Sequence, residues 1–144
     1  MPIWKKEFTV SELNTLSRKT MVGHLGIEFT EIGDDYLKAR MPVDARTIQP
    51  AGLLHGGANV ALAETLGSMA GNMCVDYEKF HVVGVEINAN HLRPVTKGFV
   101  EGLARPIKLG LTVQVWEIKI FDQSQRLTCV SRLTLAVVKK RKIE

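Results

Sequence analysis

Glu64 is the one charged residue between Arg46 and Asp76. It interrupts the stretch from Ala58 to Asn72, a run of apolar and small residues with the length of a buried helix. A carboxylate in such surroundings is costly unless it is paired, hydrogen-bonded or put to chemical use. Ionised, it can serve as a nucleophile or a general base; a salt-bridged structural role is the competing reading. The segment that leads into the run is Gln49-Pro50-Ala51-Gly52-Leu53-Leu54-His55-Gly56-Gly57, turn-rich for its proline and its glycines. Other chemistries fit poorly. The four histidines and two cysteines show no metal-ligand spacing. Ser68 lacks the glycine-flanked elbow of a serine hydrolase, and Gly56-Gly57 lacks the lysine and hydroxyl of a phosphate-binding loop.

A helix with so few charges must be covered on most sides, which predicts a sheet wrapped around it. Ahead of it, Thr9-Val10-Ser11-Glu12 reads as a capping box with Phe8 and Leu13 as its hydrophobic staple. The short helix it starts has an apolar face of Leu13, Leu16 and Met21 and a stop at Gly23. Strands are expected over 27–32 and 36–43, either side of the Gly33-Asp34-Asp35 turn. In the second of them Leu37, Ala39, Met41 and Val43 share one face.

Four further strands follow the long helix. The first, 82–92, has Val83, Val85, Ile87, Ala89 and His91 on one face, and the next, 99–104, is closed by Pro106. Over 111–121 the inward pattern passes from Leu111, Val113 and Val115 to Trp116, Ile118 and Ile120, as a β-bulge or a face met by a partner would produce. Asp122 to Arg126 forms a hairpin, and the last strand lines up Leu127, Cys129, Leu133, Leu135 and Val137. This order predicts one α+β domain over 1–144, a sheet of about six antiparallel strands wrapped around one long central helix.

The length suits a single domain, and 45% hydrophobic residues suffice for a core. No apolar run is long and uncharged enough to span a membrane, and Met1 to Glu7 lacks the apolar centre of a secretory signal. With Cys74 and Cys129 far apart, a reducing cytoplasm is the expected setting. The net charge of +4 is concentrated in 139–144, read as a solvated basic tail, so the body is near neutral and unsuited to nucleic acid.

Gln49, His55-Gly56-Gly57 and Ala61-Leu62-Ala63-Glu64 together resemble the hotdog-fold acyl-CoA thioesterases. Within them the chain is most similar to the glutamate-type 4-hydroxybenzoyl-CoA thioesterase branch and its 1,4-dihydroxy-2-naphthoyl-CoA thioesterases of menaquinone biosynthesis. His24-Leu25-Gly26-Ile27, Met41-Pro42-Val43-Asp44, the run from Val83 to His91, and Gln114-Val115-Trp116 extend the likeness over nearly the full chain. The resemblance implies a hotdog fold and hydrolysis of an aromatic acyl-CoA, with no cofactor beyond the CoA of the substrate.

It also implies roles. Glu64 would attack the thioester carbonyl or activate water, with Ser68, one turn on, orienting it. The Gly56 N–H, at the positive end of the helix, would polarise the carbonyl and hold the oxyanion. Gln49 and His55 would position the carbonyl or the water. Gly84, His91, Leu92, Arg93, Lys108 and Gly110 would lie along the CoA path. In relatives Glu64 and Ser68 come from one subunit and Gln49, His55 and Gly56 from its neighbour, which implies a homodimer at least and usually a homotetramer. Each residue has a plainer reading. His55 could be satisfied by backbone, Ser68 tolerated as small, His91 a core histidine, and Gly67 and Gly71 mere packing; His24 and His81 read as structural or exposed.

Two features depart from the pattern. Ala51 stands where an aromatic is usual, and Leu111-Thr112-Val113 where relatives often carry a basic residue. Both bear on the substrate, so a thioesterase acting on aryl-loaded carrier protein and a non-catalytic acyl-CoA binder are the competing functions.

Overall fold

The computed structural model describes residues 1–141. In chain order the elements are α1 (Val10–Ser17), α2 (Met21–His24), β1 (Glu28–Ile32), β2 (Leu37–Pro42), α3 (Gly56–Met73), β3 (Phe80–His91), β4 (Phe99–Leu109), β5 (Val113–Asp122) and β6 (Leu127–Lys139). The six strands form one sheet in the order β1-β2-β4-β5-β6-β3, and every neighbouring pair is antiparallel. Helix α3 lies against this sheet, and its Leu62, Ala63, Leu66 and Ala70 are wholly buried. The expected α+β architecture is therefore the observed one.

Close approach explains the glycines of α3. A methyl built on Gly67 would come within 2.5 Å of Leu133 Cδ2, and one on Gly71 within 2.5 Å of Leu135 Cδ1. Both leucines are fully buried on β6, so the helix sits on them with no room for a side chain between.

The capping box is present, with Thr9 Oγ1 accepting from the Glu12 N–H at 3.1 Å and the Glu12 side chain accepting from the Thr9 N–H. The helix it starts is shorter than expected. It ends at Ser17, and Gly23 lies inside the separate turn of α2. Leu13 is buried but Leu16 and Met21 are exposed, and Met21 belongs to the separate α2, which the Thr20 side chain caps at the Val22 N–H.

The alternation of β2 is as expected, with Leu37, Ala39, Met41 and Val43 buried. Three strand readings need correction. Pro106 lies within β4, which continues to Leu109 across an irregularity between Pro106 and Lys108. In β3 the pairing with β6 slips between Gly84 and Glu86; one extra residue exchanges the faces. Val83 and Val85 consequently point outward and are exposed, while Ile87 and Ala89 pack against the core.

In β5 the buried set is Gln114, Trp116, Ile118, Ile120 and Asp122 without interruption, so Leu111, Val113 and Val115 do not point inward. Gln114 is buried because it is fully engaged. Its Oε1 accepts from Trp116 Nε1–H at 2.9 Å, and its Nε2–H donates to the Gly71 carbonyl at 3.2 Å. The basic tail is in part structural: Lys139 ends β6, and Lys140 donates its N–H to Lys79 O and sets its ammonium over the Tyr77 ring. The remainder of the tail, 142–144, lies outside the described residues.

Gln114→Leu keeps the volume but leaves the buried indole N–H of Trp116 without an acceptor. A loss of about 1–3 kcal/mol in unfolding free energy is expected, measured by denaturant titration.

Candidate active site

The loop before α3 is held tightly. Gly52, in the left-handed region at φ 83°, donates its N–H to Gln49 O at 2.9 Å and closes a turn over Pro50 and Ala51. The Gln49 side-chain carbonyl accepts from the Ala51 N–H within the same turn. Further on, His55 N–H bonds Thr47 O and Leu54 N–H bonds Val95 O, each at 2.8 Å. These contacts deliver His55 as the N-cap of α3, where its Nδ1 accepts from the Gly57 N–H at 2.8 Å.

A helix start leaves four N–H groups without intrahelical partners. Here those of His55, Gly56, Gly57 and Ala58 are the four. The His55 N–H goes to Thr47 O, the His55 ring takes Gly57, and the His55 carbonyl takes Ala58 at 3.0 Å besides the first helical bond from Asn59. Among the hydrogen bonds of the described residues the Gly56 N–H has no partner. It opens into a cleft of about 350 Å³ lined in part by Gln49, Gly56, Asn59, His91, Leu92 and Arg93. His91, the last residue of β3, is exposed and hangs over the helix start. A methyl built on Gly56 would lie 2.9 Å from its Nε2.

Glu64 and Ser68 form a second cluster. Ser68 Oγ–H donates to Glu64 Oε1 at 3.0 Å, and both residues are half-buried. The same carboxylate oxygen would lie 2.7 Å from a methyl built on Gly84, so the backbone of β3 covers it where the strand bulges. Asn72 holds this arrangement. Its Nδ2–H donates to Ser68 O and its Oδ1 accepts from the Val82 N–H, each at 3.0 Å, tying α3 to β3 beside Gly84.

The two clusters do not meet within one chain. Glu64 lies beside Gly84 and Gly56 beside His91, and Gly84 and His91 are seven positions apart on one strand, about 20 Å. Along α3, Gly56 and Glu64 are separated by about 12 Å of rise. The residues expected along the CoA path divide in the same way. His91, Leu92 and Arg93 belong to the Gly56 cleft. Lys108 and Gly110 sit at the β4–β5 turn, at the end of the sheet where Val83 and Val113 flank Ala136, near Gly84.

The cysteines offer no competing nucleophile. Burial pushes the Cys74 thiol up to about 12 and Cys129 up to about 11, so neither is a thiolate at neutral pH. Among the described residues no three His, Cys, Asp or Glu side chains are grouped to hold a metal ion. No helix of the described residues is long and apolar enough to cross a membrane.

Comparison with known proteins bears on this geometry. A family model described as the thioesterase superfamily matches residues 51–129, which hold the cap, α3 and strands β3 to β5. The chain belongs to the thioesterase superfamily. A 1,4-dihydroxy-2-naphthoyl-CoA hydrolase of Escherichia coli is 54% identical to this thioesterase chain, over 94% of it and 99% of the relative. A crystal structure of a Haemophilus influenzae thioesterase superposes with a TM-score of 0.93 at 55% identity, covering 95% of each chain. A thioesterase from Pseudomonas aeruginosa, crystallised as a glutamine-to-alanine variant, gives a TM-score of 0.94 at 46% identity, over 96% of this chain and 99% of that one. The hotdog fold expected from the resemblance is thus the fold of this thioesterase.

Reading the sequence missed Asn59 and Asn72. Each is an amide in a largely apolar helix, one facing His91 and the other β3, and that oddity in an apolar run was the available signal. His24 is exposed and His81 half-buried, and neither joins the clusters above.

Gly84→Ala sets a methyl against Glu64 Oε1. The exposed strand should tolerate it within about 0.5 kcal/mol, whereas thioester turnover should fall roughly tenfold or more because the carboxylate is displaced. Parallel thermal melts and steady-state assays check both halves of that expectation.

Proposed function

We propose that this thioesterase hydrolyses an aromatic acyl-CoA, with 1,4-dihydroxy-2-naphthoyl-CoA the first substrate to test, in an assembly of at least two chains. Water adds across the acyl carbon–sulfur bond and releases the free acid and CoA. The reading rests above all on the Gly56 N–H, the one donor left open at a helix start otherwise satisfied by His55. There the helix dipole and the free donor both favour an oxygen gaining negative charge. The name of the Escherichia coli relative supports the choice of substrate; a place in menaquinone biosynthesis in the cytoplasm follows only from the resemblance and is part of the proposal. No cofactor is required beyond the CoA that the substrate carries.

Glu64 supplies the other half of the reaction, either attacking the carbonyl carbon or taking a proton from the water that does. Ser68 holds one of its oxygens, which keeps the carboxylate aimed. Gln49 lines the cleft by the carbonyl, and the free Nε2–H of His55 faces solvent beside it. The roughly 12 Å of helix rise between Gly56 and Glu64 is too far for one carbonyl group to touch both within a chain. A symmetric dimer therefore completes each site with Glu64, Ser68, Gly84, Lys108 and Gly110 from one subunit and Gln49, His55, Gly56, His91, Leu92 and Arg93 from the other. Two such dimers give the tetramer usual for the family.

One observation favours a second reading. Ile107, Leu109 and Leu111 are exposed around Lys108, with Leu111 at 95%, a surface better suited to a protein than to a phosphorylated nucleotide. An aryl group carried on a carrier-protein phosphopantetheine arm is the alternative substrate.

Glu64→Gln should lower turnover of aryl-CoA at least about 100-fold with the fold intact. Near-normal hydrolysis by the purified variant would reject Glu64 as the reacting carboxylate, and a parallel panel of fatty acyl-CoAs and aryl-loaded carrier protein ranks the substrates.

Sharing of the site has its own test. Gly56→Pro removes the N–H at a helix position where proline is tolerated. Equal mixtures of Gly56→Pro and Glu64→Gln chains should recover about a quarter of the wild-type rate, since half the dimers are mixed and each mixed dimer has one intact site of two. Circular dichroism and proof of subunit exchange accompany the assay; no recovery from folded, exchanged chains would count against a shared site.

A further inference from the structure

We infer that Asn59 is a positioning residue for His91, and that together they present the His91 Nε2–H as a second donor to the thioester oxygen beside the Gly56 N–H. The inference rests on the thioesterase reading above and adds to it one donor and the group that holds it.

Asn59 is only 4% exposed, in the first turn of α3, three residues after Gly56 and on the same side of the helix. Its Nδ2–H donates to His91 Nδ1 at 3.2 Å. A ring nitrogen that accepts carries no proton, so in the neutral imidazole the proton resides on Nε2. That nitrogen is the ring atom nearest to a methyl built on Gly56, at 2.9 Å. Two N–H groups from different parts of the chain are thus presented at the same helix start, and neither has a protein acceptor among the described residues.

The amide is not there for its own satisfaction. Asn59 Oδ1 is buried without any hydrogen-bond partner, an arrangement that costs stability and that an apolar side chain at the same place would avoid. What the amide achieves is the orientation of an otherwise unanchored, exposed imidazole at the end of a strand. Turning the amide over would put Oδ1 against Nδ1, move the ring proton there and remove the donor from the cleft. The choice of amide orientation therefore sets which face of His91 a substrate meets. In the reaction the two donors keep their protons: the carbonyl oxygen gains charge as the tetrahedral species forms and returns it when the carbon–sulfur bond breaks.

Nitrogen-15 NMR of the free protein reads the tautomer directly, and wild-type His91 should show Nε2–H. Asn59→Asp exchanges the donor for an acceptor of the same shape. It should move the proton to Nδ1 and lower kcat about tenfold or more, with KM changed less than about threefold. His91→Phe, at an exposed site where folding is not in question, should show the same split between kcat and KM. His91→Gln, which restores an N–H near Nε2, should recover most of that loss.

A wild-type Nδ1–H tautomer overturns the proposal, and so does a His91→Phe variant that alters KM alone or that Gln does not rescue. If Asn59→Asp fails to fold, the tautomer and the two His91 variants still decide. A wild-type protein that hydrolyses no thioester overturns the underlying reading and the donor role with it, while the NMR result still judges the Asn59–His91 pairing on its own.

Discussion

The burial of α3 governs the rest of the structure. A helix whose Leu62, Ala63, Leu66 and Ala70 have no exposure needs a cover on most sides, and strands β2 to β6 pack against it to supply one. Gly67 and Gly71 let β6 come close enough to close the interface. The chemistry lies where that burial stops. At its start the helix emerges from a loop, and its first amide is left over once His55 has served the others. Partway along, Glu64 reaches the edge strand β3 at the bulge after Gly84, where the cover is backbone without a side chain.

Fold and site share atoms at His55. The ring nitrogen that would otherwise be free for chemistry is committed to the Gly57 N–H, and helix caps of this kind are worth about 1 kcal/mol. A loss of activity on changing His55 therefore mixes catalytic and structural causes. Asn72 has a similar double life, since it joins α3 to β3 and thereby fixes the distance between Glu64 and the strand above it.

Local features were legible in the sequence. The capping box at Thr9, the alternation of β2, the long helix and the one-turn spacing of Glu64 and Ser68 all depend on residues near one another in the chain, and each is found. The errors share a different cause. In β5 the inward positions include a glutamine, and hydropathy alone turned it outward; only its long-range bonds to Gly71 and to the neighbouring indole make it a core residue. In β3 a bulge set by pairing with β6 exchanged the faces of Val83 and Val85. The contacts of Glu64 with Gly84 and of Asn59 with His91 are likewise tertiary, and no spacing along the chain announces them.

The amino-terminal arm ends on an aromatic pair. Trp4 stacks on the buried Trp116 with ring centroids 6.5 Å apart, donates its indole N–H to Gly33 O at 2.7 Å, and is followed by a Lys5 N–H bonded to Met73 O. Both tryptophans of the chain are in that pair. Ultraviolet emission from this protein is consequently a gauge of the arm's docking on the far end of α3. A change in tint on adding a ligand would report motion of the arm, whereas occupancy of the cleft at Gly56 would have to be followed by another label.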